Sequence, residues 1–206
     1  MKTPLRYQVT HYDCGTASFV NALMYLFERD DIPFEVVEYV TAVTGDRNLG
    51  LGGGKKGTSS KVFAFLASWF NDYVAGSGMP IRCQSLLGSD EVSAREDSAL
   101  IRGLRSGAVA VCGCCLGADH YVLITGVDDD AVYLFDPYYD TWPLHELDVP
   151  VVGVRMDDDH PHAYNRIVER WVLEEPEGTP YSLEAKVGRD AVLVWNTASS
   201  TRPPCP

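Results

Sequence analysis

The sequence predicts an α+β fold in which helices come first along the chain and antiparallel β-strands follow. Apolar residues recur at three- and four-residue spacing before about residue 106, which is typical of helices that bury one face. Beyond residue 107 the apolar segments are short, branched and aromatic, which is typical of strands. We therefore expect a single domain over residues 1–206, with a helical half at about 1–106 and a sheet half at about 107–200.

Composition and charge narrow the classes of protein that the chain can belong to. The 206 residues are 46% hydrophobic and 22% charged, which is typical of a globular chain with a packed core. Acidic residues outnumber basic ones by 29 to 17, and this net charge of −12 argues against nucleic acid as a partner. No apolar run has the length of a membrane span or the form of an export signal, so we expect no membrane insertion, a cytoplasmic location and reduced cysteines.

The first two helices are predicted from apolar segments with clear ends. Residues 14–27 are apolar almost all round, which indicates a buried helix. Asp30, Asp31 and Pro33 end it, because a proline biases the preceding residue away from helical angles. A second helix is predicted over residues 34–43.

A glycine-rich segment at residues 45–57 predicts a mobile loop that could cover a cleft as a lid. A phosphate-binding loop is the alternative, but no strand precedes these glycines. A third helix is predicted over residues 61–73, with residues 58–60 as N-cap candidates. The residues predicted to form its apolar face are Val62, Phe65, Leu66, Trp69 and Phe70.

The remaining elements are shorter. A strand is predicted at residues 81–84 and a helix at 97–105. Further strands are predicted at residues 108–112, 120–127, 131–135, 151–156, 167–173 and 191–195. Three aspartates, Asp128 to Asp130, form a turn between the second and third of these strands, and the proline-rich residues 201–206 predict an unstructured tail.

Three cysteines, Cys112, Cys114 and Cys115, lie close to His120 and suggest a zinc site at first sight. A structural zinc site needs a second pair of ligands at characteristic spacing, and none is present. Strand alternation would also point Cys112 and Cys114 to one face and Cys115 to the other. We therefore expect core cysteines here, with no metal and no cofactor.

Cys14 is the candidate nucleophile. It lies where a polar segment meets the N-terminus of the first helix, and a helix N-terminus stabilises a thiolate. Gly15 is small enough to let a substrate approach. The alternative is a buried core cysteine, which is the commonest environment for this residue type.

A base and its orienting group are predicted from the hairpin that follows. If the turn is centred on Asp129, Val122 lies opposite Asp136, and His120 shares their face as a diagonal neighbour at about 7 Å. A register shifted by one residue would place His120 and Asp136 on opposite faces. The alternatives are a histidine without a role and an aspartate that only forms a turn before Pro137.

Gln8 completes the predicted site. Its side-chain amide could donate to an oxyanion together with the backbone N–H of Cys14. The alternative is a surface glutamine. Weaker candidates for contact with the substrate are Tyr12, Asp13, Gly15, Tyr121 and Trp142.

Two segments resemble the signature regions of a known family. Residues 8–17, QVTHYDCGTA, and residues 120–137, HYVLITGVDDDAVYLFDP, look like those of the bacteriocin-processing, double-glycine type of papain-like cysteine peptidases. The resemblance covers roughly the first 140 residues. It implies a papain-like fold, with a helical half that carries the cysteine packed on an antiparallel sheet that carries the histidine and the aspartate.

The resemblance also implies a role for each matching residue. Cys14 would be the nucleophile, His120 the general base, Asp136 its orienting group and Gln8 part of the oxyanion hole. We therefore expect a cysteine peptidase or amide hydrolase that cleaves a peptide or protein substrate through an acyl-enzyme. Two alternatives stay open, namely an acyl transferase with the same triad and a non-catalytic peptide-binding module of peptidase-like fold.

Overall fold

The computed structural model describes residues 2–44, 57–139, 151–176, 178–183 and 185–198. The predicted lid, apart from Gly57, lies outside the described residues, as do Trp142 and the proline-rich tail. The described part is a mixture of helices and one antiparallel sheet, which confirms the α+β class. None of the helices in these ranges combines the length and the apolar character of a membrane span.

The described residues form four α-helices and seven strands. The helices are α1 (Cys14–Leu26), α2 (Phe34–Thr44), α3 (Ser60–Ser77) and α4 (Ala99–Arg105). The strands are β1 (Ile81–Leu87), β2 (Val109–Cys115), β3 (Asp119–Val127), β4 (Ala131–Phe135), β5 (Val154–Met156), β6 (Arg166–Glu169) and β7 (Asp190–Asn196). Two short 3-10 helices lie at Arg29–Asp31 and Arg170–Glu174.

The buried face of α3 differs from the prediction at one position. Phe65 was expected in the core, but it is 51% exposed, whereas Phe63 is only 1% exposed. The core contacts of α3 are centred between Phe63 and Leu66, because Phe63 stacks on Phe19 of α1. Phe65 lies more than a quarter of a turn outside that arc and therefore faces solvent.

The predicted strand at residues 167–173 is wrong in its second half. β6 ends at Glu169, and the chain continues as the 3-10 helix Arg170–Glu174. Glu169 pairs with Ala131, which is the first residue of β4. Because β4 begins at Ala131, the chain beyond Glu169 faces the turn before β4. There the amide of Arg170 donates to the carbonyl of Asp130 at 2.8 Å.

The sheet brings the last strand of the described chain next to the first. Its strand order is β1-β7-β2-β3-β4-β6-β5, and every neighbouring pair is antiparallel. β7, the last strand, lies between β1 and β2 in the interior of the sheet. The boundary between a helical and a sheet half is therefore less strict than the sequence predicts, because β1 precedes α4 and still belongs to the sheet.

The two faces of the sheet cover two apolar cores. One core packs α1, α2 and α3 against alternate strand residues such as Val111 and Leu123. The other packs α4 and the Arg170–Glu174 helix against the intervening residues. Cys112 and Cys114 are buried in the second core, and Cys115 is half-buried, which confirms the predicted alternation.

Candidate active site

Cys14 is the first residue of α1 and is only 6% exposed. The preceding loop is held by Asp13, whose carboxylate accepts hydrogen bonds from the amide of Val9 at 3.0 Å and the amide of Thr10 at 2.7 Å. Burial opposes the charge, but the bonds from the Thr10 hydroxyl and these amides lower the pKa of Asp13. The carboxylate of Asp13, a candidate for substrate contact, is therefore used to hold the loop that precedes Cys14.

Gly15 is buried against the first turn of the opposite helix. A Cβ at this position would lie 2.5 Å from Oγ1 of Thr58 and 3.1 Å from the ring of Phe63. The space beside Gly15, which the sequence predicts for a substrate, is filled by Thr58. Glycine is required here because α1 and the start of α3 approach closely next to Cys14.

The hairpin of β3 and β4 has the predicted register at the end that carries the site. Leu123 pairs with Phe135 and Ile124 with Leu134, which continues to Val122 opposite Asp136. A bulge between Ile124 and Gly126 shifts the register by one residue toward the turn. Because the bulge lies on the turn side, His120 and Asp136 stay on one face.

His120 and Asp136 form a buried pair. Nε2 of His120 lies 2.8 Å from Oδ1 of Asp136, and the aspartate is 1% exposed. The same carboxylate oxygen accepts the amide of Tyr138 at 2.8 Å. Burial alone would raise the pKa of Asp136, but the charge of His120 and these hydrogen bonds lower it.

The imidazole of His120 also lies near the thiol of Cys14, close enough for the two groups to affect each other's charge. Asp136 occupies Nε2, so Nδ1 is the ring nitrogen available to the sulfur. Burial alone would lower the pKa of His120, but the charge of Asp136 and the hydrogen bonds to Asp136 and Cys14 raise it to about 10. The arrangement favours a protonated imidazole beside the sulfur of Cys14, and a cysteine with a neighbouring base is what nucleophilic catalysis requires.

Gln8 ties the loop before Cys14 to the segment after Asp136. Its amide donates to the carbonyl of Pro137 at 2.8 Å, and its side-chain Nε2 donates to the carbonyl of Thr10 at 2.7 Å. In the described part of the chain nothing donates to its buried Oε1. A side-chain amide carries two N–H donors, so one remains for an oxyanion.

Two aromatic candidates have different surroundings. Tyr12 is 44% exposed and can touch a bound ligand. Tyr121 is buried, with its ring edge against Phe63 and its hydroxyl on the carboxylate of Asp190. Trp142 lies outside the described residues.

Tyr138 is a wall of the site that the sequence analysis missed. Its ring meets the imidazole of His120 edge to face, with the centroids 6.4 Å apart, and its hydroxyl lies 3.4 Å from Nδ1 of His11. The half-buried ring of Tyr138 therefore lies next to the imidazole of His120. Its position two residues after the predicted orienting aspartate was the available signal.

Two side chains from the C-terminal third also hold Asp136. Asn165 accepts the amide of Asp136 at 2.7 Å and donates to its carbonyl at 2.9 Å, and the hydroxyl of Tyr181 donates to Oδ2 of Asp136 at 2.8 Å. These residues lie 29 and 45 positions further along the chain. No local pattern points to them, because only the tertiary fold brings them to the hairpin.

Comparisons with known proteins identify no relative. A scan against protein-family models gives no match, and no curated protein is significantly similar to the chain. Within the described ranges, no group of three or more His, Cys, Asp or Glu side chains is arranged to hold a metal ion. The geometry of the site therefore carries the functional argument.

Proposed function

We propose that the protein is a cysteine peptidase or amide hydrolase with a papain-like fold, related to the double-glycine type of bacteriocin-processing peptidases. The observation that carries the proposal is the buried, hydrogen-bonded pair of His120 and Asp136 next to the buried thiol of Cys14. Its order along the fold agrees with the resemblance, since the cysteine begins a buried helix and the other two residues lie on neighbouring strands.

The mechanism begins with proton transfer between Cys14 and His120. His120 takes the thiol proton, and the thiolate of Cys14 attacks the carbonyl carbon of the substrate amide. The second N–H of Gln8 and the backbone N–H of Cys14 stabilise the oxyanion. His120 then gives its proton to the leaving nitrogen, and the C–N bond breaks to leave a thioester on Cys14.

The second half of the reaction restores the enzyme. His120 takes a proton from water, and the resulting hydroxide attacks the thioester carbon. The acid product leaves and the thiolate is restored. Asp136 keeps Nδ1 of His120 directed at the sulfur in both halves. The substrate is a peptide or protein, and we place the activity in the cytoplasm because the five described cysteines are free thiols.

Cleavage of a mixed peptide library, read by mass spectrometry of the new termini, tests the proposal. The wild-type protein should cleave peptides, and Cys14→Ala should lower the rate by about 10⁴-fold or more. Cys115→Ala is the matched control, because this half-buried cysteine lies outside the triad and should leave the rate unchanged.

Three other results of this experiment would contradict the proposal, and each points to a different conclusion. Equal cleavage by wild type and Cys14→Ala would contradict the assignment of the nucleophile. Products that carry an added amine in place of water would identify an acyl transferase. Peptide binding without any cleavage would identify a non-catalytic module.

A further inference from the structure

We infer that Tyr181 and Arg166 act as a positioning pair for the catalytic aspartate, with the tyrosine hydroxyl fixing Asp136 against His120 and the arginine fixing the tyrosine. This inference rests on the proposed peptidase function and assigns a role to the C-terminal third of the chain. Tyr181 and Arg166 touch neither the sulfur nor the imidazole, so they act through Asp136.

The direction of each hydrogen bond in this chain is determined by its chemistry. Nε of Arg166 can only donate, and it lies 3.1 Å from the hydroxyl of Tyr181. That hydroxyl has one hydrogen, which it donates to Oδ2 of Asp136 at 2.8 Å. The other oxygen, Oδ1, accepts from His120 and from the amide of Tyr138. With both oxygens bonded, the carboxylate cannot rotate away from the imidazole.

Because these hydrogen bonds are buried, the loss of one of them is costly. Tyr181, Arg166 and Asp136 are all nearly inaccessible to solvent. Water cannot replace a partner that is removed, so the lost bond leaves an unsatisfied buried group. Nη1 of Arg166 also donates to the carbonyl of Asn165 at 2.8 Å, and Asn165 brackets the backbone of Asp136. Residues 165 and 166 therefore fix the main chain and the side chain of the aspartate together.

The backbone at Tyr181 is shaped for this contact. Its φ of 66° is uncommon for a residue with a Cβ, and such conformations persist where the surrounding structure imposes them. The amide of Tyr181 donates to the carbonyl of Cys115 at 2.7 Å, and the amide of Cys115 donates to the carbonyl of Ser182 at 2.8 Å. Cys115 ends β2, which pairs with the strand that carries His120. The tyrosine is thus anchored to the same pair of strands as the base.

Titratable and charged groups face Asp136 from several elements of the fold. His120 faces it from β3, Cys114 from β2, and Tyr181 with Arg166 from the C-terminal third. Burial and the charge of Asp136 hold the pKa of Tyr181 well above its ordinary value, against the opposing effect of Arg166. The hydroxyl therefore stays a neutral donor over the whole range in which the enzyme works.

Tyr181→Phe tests this role, because it removes the hydroxyl and keeps the ring. The pH profile of kcat/KM and the pH profile of Cys14 alkylation are both measured. We expect kcat to fall about 10- to 100-fold with little change in KM, and the acid limb of both profiles to move up by about one pH unit. The reason is that the bond from Tyr181 lowers the pKa of Asp136. Profiles that superimpose on the wild type would overturn the inference.

Tyr133→Phe is the matched control, because its hydroxyl bonds to Asp128 at the far end of the same hairpin. It should leave both acid limbs unchanged. Site-specific 3,5-difluorotyrosine at position 181 keeps the shape and strengthens the donor, so it should move the acid limb down. It also tests the inference if Tyr181→Phe fails to fold, and an unmoved or raised limb would contradict it.

The two proposals fail in different ways. If the wild type cleaves no peptide, the proposed function fails, and the alkylation profiles of Cys14 still test the positioning pair. If the wild type is active and the profiles of Tyr181→Phe match it, only the positioning pair fails.

Discussion

Two buried aspartates flank the same strand and have opposite electrostatic environments. Asp136 contacts His120, and Asp190 contacts the next residue, Tyr121. Because neighbouring residues of a strand point to opposite faces, the two carboxylates lie on opposite sides of β3. Asp136 is 1% exposed and Asp190 is 4% exposed.

The difference between them lies in the number of donors. Asp136 accepts from His120, from the amide of Tyr138 and from the hydroxyl of Tyr181, and these partners lower its pKa despite burial. Asp190 accepts from the hydroxyl of Tyr121, at 3.2 and 3.0 Å to its two oxygens, and burial raises its pKa to about 6. Burial by itself therefore identifies no catalytic carboxylate, and convergent donors are the better sign.

The largest effect that this comparison predicts is on activity at Asp136. Asp136→Asn keeps the shape but removes the charge that holds the imidazolium, so kcat/KM should fall about 10³- to 10⁴-fold, the scale of an orienting carboxylate in a triad. Because the charge of Asp136 also raises the pKa of His120, the alkaline limb of the remaining activity should move to lower pH.

Asp190→Asn is the control for that experiment. It replaces a carboxylate of nearly equal burial that lies beside the same strand, so kcat/KM should stay within a few-fold of the wild type. An equal loss of activity in the two variants would show that the donors around Asp136 have no special role.

The second prediction concerns stability at Asp190. A carboxyl whose pKa rises from 3.8 to about 6 on folding binds its proton more tightly in the folded state, so the free energy of unfolding falls as pH rises between these values. The full penalty above pH 6 is roughly 3 kcal/mol. Asp190→Asn should therefore raise the free energy of unfolding by about 1–2 kcal/mol at pH 8 and by much less at pH 4.

Urea unfolding at the two pH values measures this gain. Asp72→Asn on α3 is the matched control, since Asp72 is exposed and its replacement should change stability by less than about 0.5 kcal/mol at either pH. If Asp190→Asn raises the free energy of unfolding equally at pH 4 and pH 8, the claim that an ionised Asp190 destabilises the folded protein is contradicted.

The smallest predicted effect is at Tyr121. Tyr121→Phe removes the hydroxyl that donates to Asp190, so the pKa of Asp190 should rise further and stability should fall by about 1 kcal/mol at pH 8. The double variant with Asp190→Asn measures the coupling between the two side chains in the same urea experiment. Strictly additive changes in the free energy of unfolding would mean that the hydroxyl does not stabilise the charge of Asp190.

The sequence predicts the local parts of the site and misses the distant ones. The pairing of His120 with Asp136 is accessible because one short hairpin carries both, and the bulge after Ile124, next to Gly126, lies on the turn side of the pair. Asn165 and Tyr181 reach Asp136 only through the tertiary fold, so spacing cannot reveal them.

The fold shows the same limit. The helices α1 and α2 agree with prediction to within a residue at either end, since apolar periodicity is local. The choice of Phe63 over Phe65 as the buried side chain of α3 depends on Phe19 of another helix. The place of β7 between β1 and β2, next to the edge strand, depends on pairing with strands that lie far earlier in the chain.

Alkylation of the cysteines with iodoacetamide, mapped peptide by peptide across the pH range, tests the central claim most directly. Exposure alone predicts that the half-buried Cys115 is alkylated faster than the buried Cys14. The position next to His120 predicts instead that Cys14 reacts fastest and that His120→Ala abolishes this advantage. A Cys14 that reacts no faster than Cys115 in the wild type would contradict the assignment of the nucleophile.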